Sequence, residues 1–238
     1  MSGNPGRLRA PQQRAERATR ILDTAAELLL RHGYRRVTID DVAAGAGIGK
    51  GTVYLHWKNR EQLFGAVFAR EVLQALDELR QALRHDPRAC LPHRFARAYF
   101  LAITNRPLLR GFLLDDPDLL GKLTSSPDTA RDTRHSAMAH GYFALLAEHG
   151  LLRDDMHVDE IAYAYQATFE GFLRAEGSTD ADGPDRRADL LARTVQRAFE
   201  SGSAASDATL RDLASATVAL LGDLIDADRA ESGLPEEA

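Results

Sequence analysis

The chain has 238 residues, 44% of them hydrophobic and 27% charged, enough for one large or two modest domains with a buried core. No apolar run approaches the roughly 18 residues of a membrane span, and the opening MSGNPGRLRAPQQR lacks the apolar segment of a secretory signal. A single cysteine, Cys90, excludes an intramolecular disulfide and a multi-cysteine zinc site, so a cytoplasmic protein is expected.

The net charge of −5 hides an asymmetry. Residues 1–70 carry 12 Lys and Arg against 6 Asp and Glu, a surplus of six, while the remainder carries 18 against 29. A basic front end on an acidic body suits contact with a polyanion. Only three of the 30 cationic residues are lysines, and two of them, Lys50 and Lys58, fall in one short stretch. There a compact point charge replaces the arginine fork used elsewhere.

In chain order, residues 1–13 are rich in Gly, Pro, Arg and Gln and are expected to form a flexible arm. From Arg14 to His32 the apolar positions Ile21, Leu22, Ala25, Leu28 and Leu29 recur at helical spacing, and Gly33 supplies a stop. Thr38 and Asp41 have capping-box form and open a short second helix ending near Gly45. Gly47 is the expected left-handed turn residue. A third helix is predicted over about 50–56. Asn59 caps a fourth, with Gln62 at the reciprocal position, that runs to about Arg84.

The stretch GAGIGKGTVYLHWK invites a nucleotide-binding reading, which the residues reject. A Walker A loop would need glycine at position 44 and a hydroxyl at position 51, where the chain has Ala44 and Gly51. The pattern G-x-G-x-x-G fails from every starting glycine, and no buried strand precedes the stretch. Two short helices joined by a tight glycine turn behind a longer one instead form a helix-turn-helix. Ile39, Val42, Ala43, Ile48 and Val53 can build its core, with Trp57 and Phe64 as further packing residues. Lys50, Gly51, Thr52, Tyr54, His56 and Lys58 remain off the core side, as a recognition helix requires.

ILDTAAELLLRHGYRRV followed by TIDDVAAGAGIGKGTVYLHWKNREQLF resembles the N-terminal DNA-binding domain of TetR-family transcriptional regulators, over about residues 14–66. The resemblance implies that Thr38 touches a phosphate at the start of the second helix. It places Lys50, Gly51 and Thr52 at the groove end of the recognition helix, with Tyr54, His56 and Lys58 on the DNA backbone or base edges. The family commonly has serine where this chain has Gly49, so one N-cap hydroxyl is missing at a cost of a few tenths of a kcal/mol. Gly45, without an evident task, suggests a compliant motif.

From residue 60 to 230 an all-α effector-binding and dimerisation domain is expected, with helices over 88–105, 107–122, 128–149, 158–175, 185–200 and 207–230. Loops fall at 123–127, 176–184 and 201–206, and 231–238 forms a polar, disordered tail. The last helix carries Leu210, Leu213, Thr217, Leu220 and Leu224 beside a second stripe of Ala214, Val218, Leu221 and Ile225. Two stripes suggest a partner as well as a core. Ala164, Thr168, Gly171 and Ala175 form a small-residue line where another helix could approach. The resemblance implies pairing across a two-fold axis as a homodimer, which a palindromic double-stranded operator also requires. Phe95, Tyr99, Ile103, Phe112, Met138, Tyr142 and Phe169, with Gln166 and Glu170, suit a largely apolar site for a small-molecule effector. His135 and His140 are five apart, not the four of a helical metal pair, so no metal is expected, and no cofactor. The leading expectation is a repressor released by an apolar effector. An adaptor acting through protein binding, or an all-helical enzyme, is the alternative, and no catalytic arrangement is visible for the latter.

Overall fold

The computed structural model describes residues 5–121, 129–175 and 183–234. Among them are eleven α-helices: α1 Pro5–His32, α2 Ile39–Gly45, α3 Lys50–Tyr54, α4 Arg60–His85, α5 Pro92–Thr104, α6 Pro107–Leu113, α7 Pro117–Leu120, α8 Thr129–Glu148, α9 Val158–Arg174, α10 Pro184–Phe199 and α11 Asp207–Glu231. A short 3-10 turn covers Pro87–Cys90. The described residues contain no strand beyond an isolated antiparallel bridge between Leu152 and Glu200, so the fold is all-α.

Residues 5–13, expected as a flexible arm, are the opening turns of α1. At the other end α11 stops at Glu231, and 235–238 of the expected tail lie outside the described residues. The expected loops at 123–127 and most of 176–184 also lie outside them.

The chain divides into two compact units. The first takes the described parts of Met1–Val72, Gly111–Ser126 and Arg229–Ala238, and the second takes Leu73–Arg110 and the described parts of Pro127–Asp228. A single boundary near residue 60 therefore does not describe the packing. The segment after Gly111 belongs with the first unit for visible reasons. The Tyr34 amide donates to the Leu119 carbonyl at 3.2 Å, and Phe112 stacks on Phe68 with centroids 5.3 Å apart. Gly121, at φ +55°, lies so close to the Tyr34 ring that a Cβ would sit 2.5 Å from its Cδ1.

In the first unit, Ala18, Ile21, Leu22, Ala25 and Leu29 of α1 are buried, while Leu28 is half-buried. Ile39, Val42, Ala43 and Val53 close the core against them, with Trp57 and Phe64 beneath. Gly33 ends α1 at φ +69°, its amide donating to the Leu29 carbonyl at 2.9 Å. Gly47 turns the chain at φ +66°, where a side chain would be strained. Gly45 has a task that the sequence did not reveal. A Cβ there would lie 2.7 Å from Cγ2 of Thr24, so its absence lets α2 seat against α1. The Thr24 hydroxyl donates to the Arg20 carbonyl at 2.9 Å, which fixes the methyl in that position.

In the second unit, α5 and α10 pack along their lengths. Arg97 ties them from outside, with Nε 2.7 Å from Asp189 and Nη2 3.0 Å from Asp185. The His93 amide and Nδ1 both meet Glu200 Oε1 at 2.8 Å, joining the start of α5 to the end of α10. On α11 the expected partner-facing stripe points inward. Leu210, Leu213, Thr217 and Leu224 are buried within the single chain, and Leu220 packs over Gly141 of α8. Of the second stripe, Ala214, Leu221 and Ile225 are buried and Val218 is half-buried. Asp228, also buried, binds Arg134 Nη2 at 3.0 Å and His135 Nε2 at 2.7 Å, so α11 and α8 are linked by charge. Two apolar stripes thus serve one crowded interior.

Gly45→Ala is expected to destabilise the chain by about 1 kcal/mol, the overpacking cost less the gain in helix propensity. Urea unfolding reads this. Adding Thr24→Ser, which keeps the hydroxyl and removes the methyl, should restore the loss; a double variant no better than Gly45→Ala alone would rule out the steric cause.

Candidate functional site

The candidate nucleic-acid interface lies wholly within the first unit. Thr38 is the N-cap of α2: its hydroxyl donates to Asp41 Oδ2 at 2.7 Å and accepts from the Asp41 amide at 3.2 Å. The Asp41 carboxylate also accepts from the Thr38 amide at 2.8 Å, and these bonds hold it below the usual carboxylate range. Thr38 is exposed at the same time, so one face caps the helix and the other is open.

Gly49 caps α3 with extended backbone and no side-chain bond, and the Thr52 amide donates to its carbonyl at 2.8 Å. A Cβ at Gly49 or Gly51 would meet nothing within 4 Å, so the chain's own packing requires neither glycine. Val53 plants α3 in the core. Around it Lys50, Gly51, Tyr54 and Lys58 are exposed, and Thr52 and His56 are half-buried. Tyr54 is 45% exposed and Leu55 74%, a considerable apolar surface for a helix this short. The loop after α3 is fixed from the far side. The Gln62 amide donates to Asn59 Oδ1 at 2.8 Å, and Gln62 Oε1 accepts from the Lys58 amide at 2.9 Å. The reciprocal bond of the α4 cap thus reaches one residue further back than expected, and it orients the backbone of Lys58.

Three residues join this face that the sequence did not nominate. Lys50 Nζ lies 2.8 Å from Asp40 Oδ2, a clasp between α3 and α2 that raises the lysine pKa. Both partners are largely exposed, and such a pair contributes little stability, so a phosphate can replace the carboxylate at small cost. Arg14 and Arg17 of α1 act on His56, whose ring rests 5.3 Å from that of Trp57. Partial burial first, then these two cations, hold the His56 pKa below the ordinary histidine value. Both arginines are exposed in the first described turns of α1, ahead of Ala18, the first residue of its buried stripe.

The second unit gathers most of the nominated effector residues. Phe95 stacks on Tyr142 at 4.9 Å, Tyr99 stacks on Phe169 at 5.2 Å, and Ile103 is buried beside them in sequence on α5. Met138 is half-buried on α8. Three nominations fall elsewhere. Phe112 belongs to the first unit, on Phe68. Gln166 and Glu170 are exposed and bond to each other at 3.1 Å, one turn apart on the outer face of α9. Tyr165 was missed, although Ile161, Tyr165, Phe169 and Leu173 form a four-residue stripe on the inner face. It meets Phe143 at 5.0 Å and Phe169 at 6.2 Å. The small-residue line on α9 remains open: Ala164 and Thr168 are half-buried, and Gly171 and Ala175 are exposed. No group of three or more His, Cys, Asp or Glu able to hold a metal occurs among the described residues.

A short, anchored helix presenting cationic and aromatic side chains beyond a tight glycine turn has the geometry of a helix-turn-helix motif. Residues 21–67 match the sequence profile of bacterial regulatory proteins of the tetR family. Among curated relatives, the uncharacterized HTH-type transcriptional regulator YhgD of Bacillus subtilis is 39% identical over 66 residues. That match covers 26% of this chain and 35% of the relative, so the chain spans about a third of the length of the relative it matches. Among solved structures, SmeT, the repressor of the Stenotrophomonas maltophilia multidrug efflux pump SmeDEF, superposes with a TM-score of 0.57 at 22% identity, covering 78% of this chain and 91% of SmeT. A SmeT–triclosan complex gives 0.57 at 20% identity, covering 79% and 93%. At that identity the likeness shows a shared fold over both units.

Lys50→Ala is expected to weaken DNA binding and flatten its salt dependence by a slope of about 1. Asp40→Ala frees the same lysine and should strengthen binding to random DNA; binding titrations over a salt series check both. For His56, DNA phosphates oppose the effect of Arg14 and Arg17 and so favour the protonated ring. DNA affinity should therefore rise as pH falls below the ordinary histidine range, and His56→Gln should remove that rise.

Proposed function

We propose that this chain is a homodimeric repressor of the TetR type. Two copies of α3 read the half-sites of a palindromic operator, and a small, mainly apolar effector in the second unit releases them. The carrying observation is the outward face of α3, where Lys50, Tyr54 and Lys58 stand exposed on a helix that Val53 fixes in the core. The basic surplus of residues 1–70 supports the same polyanionic partner. The fold shared with SmeT, a repressor also solved with triclosan, supports a small-molecule effector here.

Pairing of two chains is supported by the open line Ala164, Thr168, Gly171 and Ala175 on α9, beside Tyr163, which is 78% exposed. The chain acts by binding rather than by catalysis, in the bacterial cytoplasm. No described helix is long and apolar enough to cross a membrane. A hundredfold release from the operator requires the effector to favour the released state by about 2.7 kcal/mol.

A gel shift with the DNA flanking the chain's own gene tests the reading. The expected result is a retarded complex of two chains that unlabelled operator displaces and random DNA does not. Absence of a sequence-specific shift at any salt concentration would favour an adaptor that works through protein binding.

A further inference from the structure

The second unit encloses three tyrosines whose phenols all titrate above their ordinary range, burial being the first cause in each. Their hydroxyls fare differently. Tyr142 donates to the Cys90 carbonyl at 2.8 Å and is thereby a fixed part of the core. The Tyr165 hydroxyl is closed off from solvent and has no hydrogen-bond partner among the described residues. A buried donor left unpaired costs stability that a phenylalanine at the same place would not.

Tyr165 and Tyr99 flank the same ring. Both are nearly parallel to Phe169, at interplanar angles of 20°, with centroids 6.2 and 5.2 Å away. Each phenol lies near enough to the other for Tyr99 to push the Tyr165 pKa further up. Neither ring is fully enclosed, although both lie among the side chains of α5, α8 and α9. Arg131, half-buried on α8, lies close enough to Tyr99 to act in the opposite direction. Gln166 and Glu170 face outward, so neither supplies a polar group to this inner face of α9.

We propose that Tyr165 and Tyr99 donate hydrogen bonds to an anionic oxygen on a flat, otherwise apolar ring compound bound against Phe169. Ring faces accept a planar apolar body, and phenol hydroxyls bond a charged acceptor more strongly than a neutral one. The inference rests on the reading of the second unit as an effector domain and gives that effector a chemical class, an aromatic carboxylate or phenolate. A hydrophobic cation could use the same ring faces but offers the phenol hydroxyls no acceptor.

The test uses the full chain without DNA and two probes of one shape, biphenyl-4-carboxylate and 4-phenylbenzylamine, with binding followed by calorimetry. The carboxylate should bind about tenfold or more tightly than the amine, and Tyr165→Phe should erase most of that difference. Ligand-free Tyr165→Phe should melt at the same temperature as the parent or higher, because the lost hydroxyl bonds nothing. A lower melting temperature would show that the hydroxyl already has an acceptor, and would overturn the proposal. Equal or tighter binding of the amine, or no saturable carboxylate binding up to about 1 mM, would overturn it too. Operator release is scored separately by gel shift. Carboxylate binding that depends on Tyr165 but leaves the DNA complex intact would refute the effector reading and keep this site.

Discussion

The seat of α2 on α1 is the contact from which the geometry of the candidate interface follows. Gly45 offers no Cβ to the fixed methyl of Thr24, so the short helix settles closely, and Gly47 then turns the chain through a left-handed residue. Only from that position does α3 bury Val53 while leaving Lys50 and Tyr54 in solvent. A helix of five residues has little intrinsic stability. Its orientation is therefore a property of its neighbours. The same dependence explains why Gly49 suffices as a cap: the anchoring at Val53 and Trp57 does what a serine hydroxyl would have assisted.

Electrostatics follow the same division between holding and presenting. Asp41 is committed to the Thr38 cap, whereas Asp40, its neighbour in sequence, reaches across to Lys50 in a clasp exposed enough to exchange. In the second unit the charged pairs do structural work. Arg97 joins α5 to α10, and Asp228 joins α11 to α8 through two cations. For Asp228 burial alone would raise the pKa, but the hydrogen bonds and charges of His135 and Arg134 outweigh it and keep the carboxylate ionised.

The helix-turn-helix was legible because it rests on local chemistry. The Thr38 cap, the Gly47 turn and the i, i+3, i+4 apolar pattern each act over a few residues. Contacts between distant segments were not legible. Nothing in the spelling of Gly45 names Thr24 as its neighbour, and nothing in the α11 stripes says that both would be used internally. Gln166 and Glu170 were misplaced for a related reason. Nearness in sequence to Phe169 was read as nearness in space, although a helix turns successive side chains by about 100°. Tyr165, on the inner stripe with Phe169, is the residue that helical phase would have supplied.

The packing of the 111–121 segment on Tyr34 bears on modularity. A cut placed after the recognition helix, or even after Val72, would strip Tyr34 of the Leu119 carbonyl, the Gly121 contact and the Phe68–Phe112 stack that accompany it. Chimeras that exchange operator preference between such proteins are ordinarily conceived as one crossover in the chain. Here the compact unit is discontinuous, and a graft that keeps its interior intact must bring three separate stretches of sequence along together.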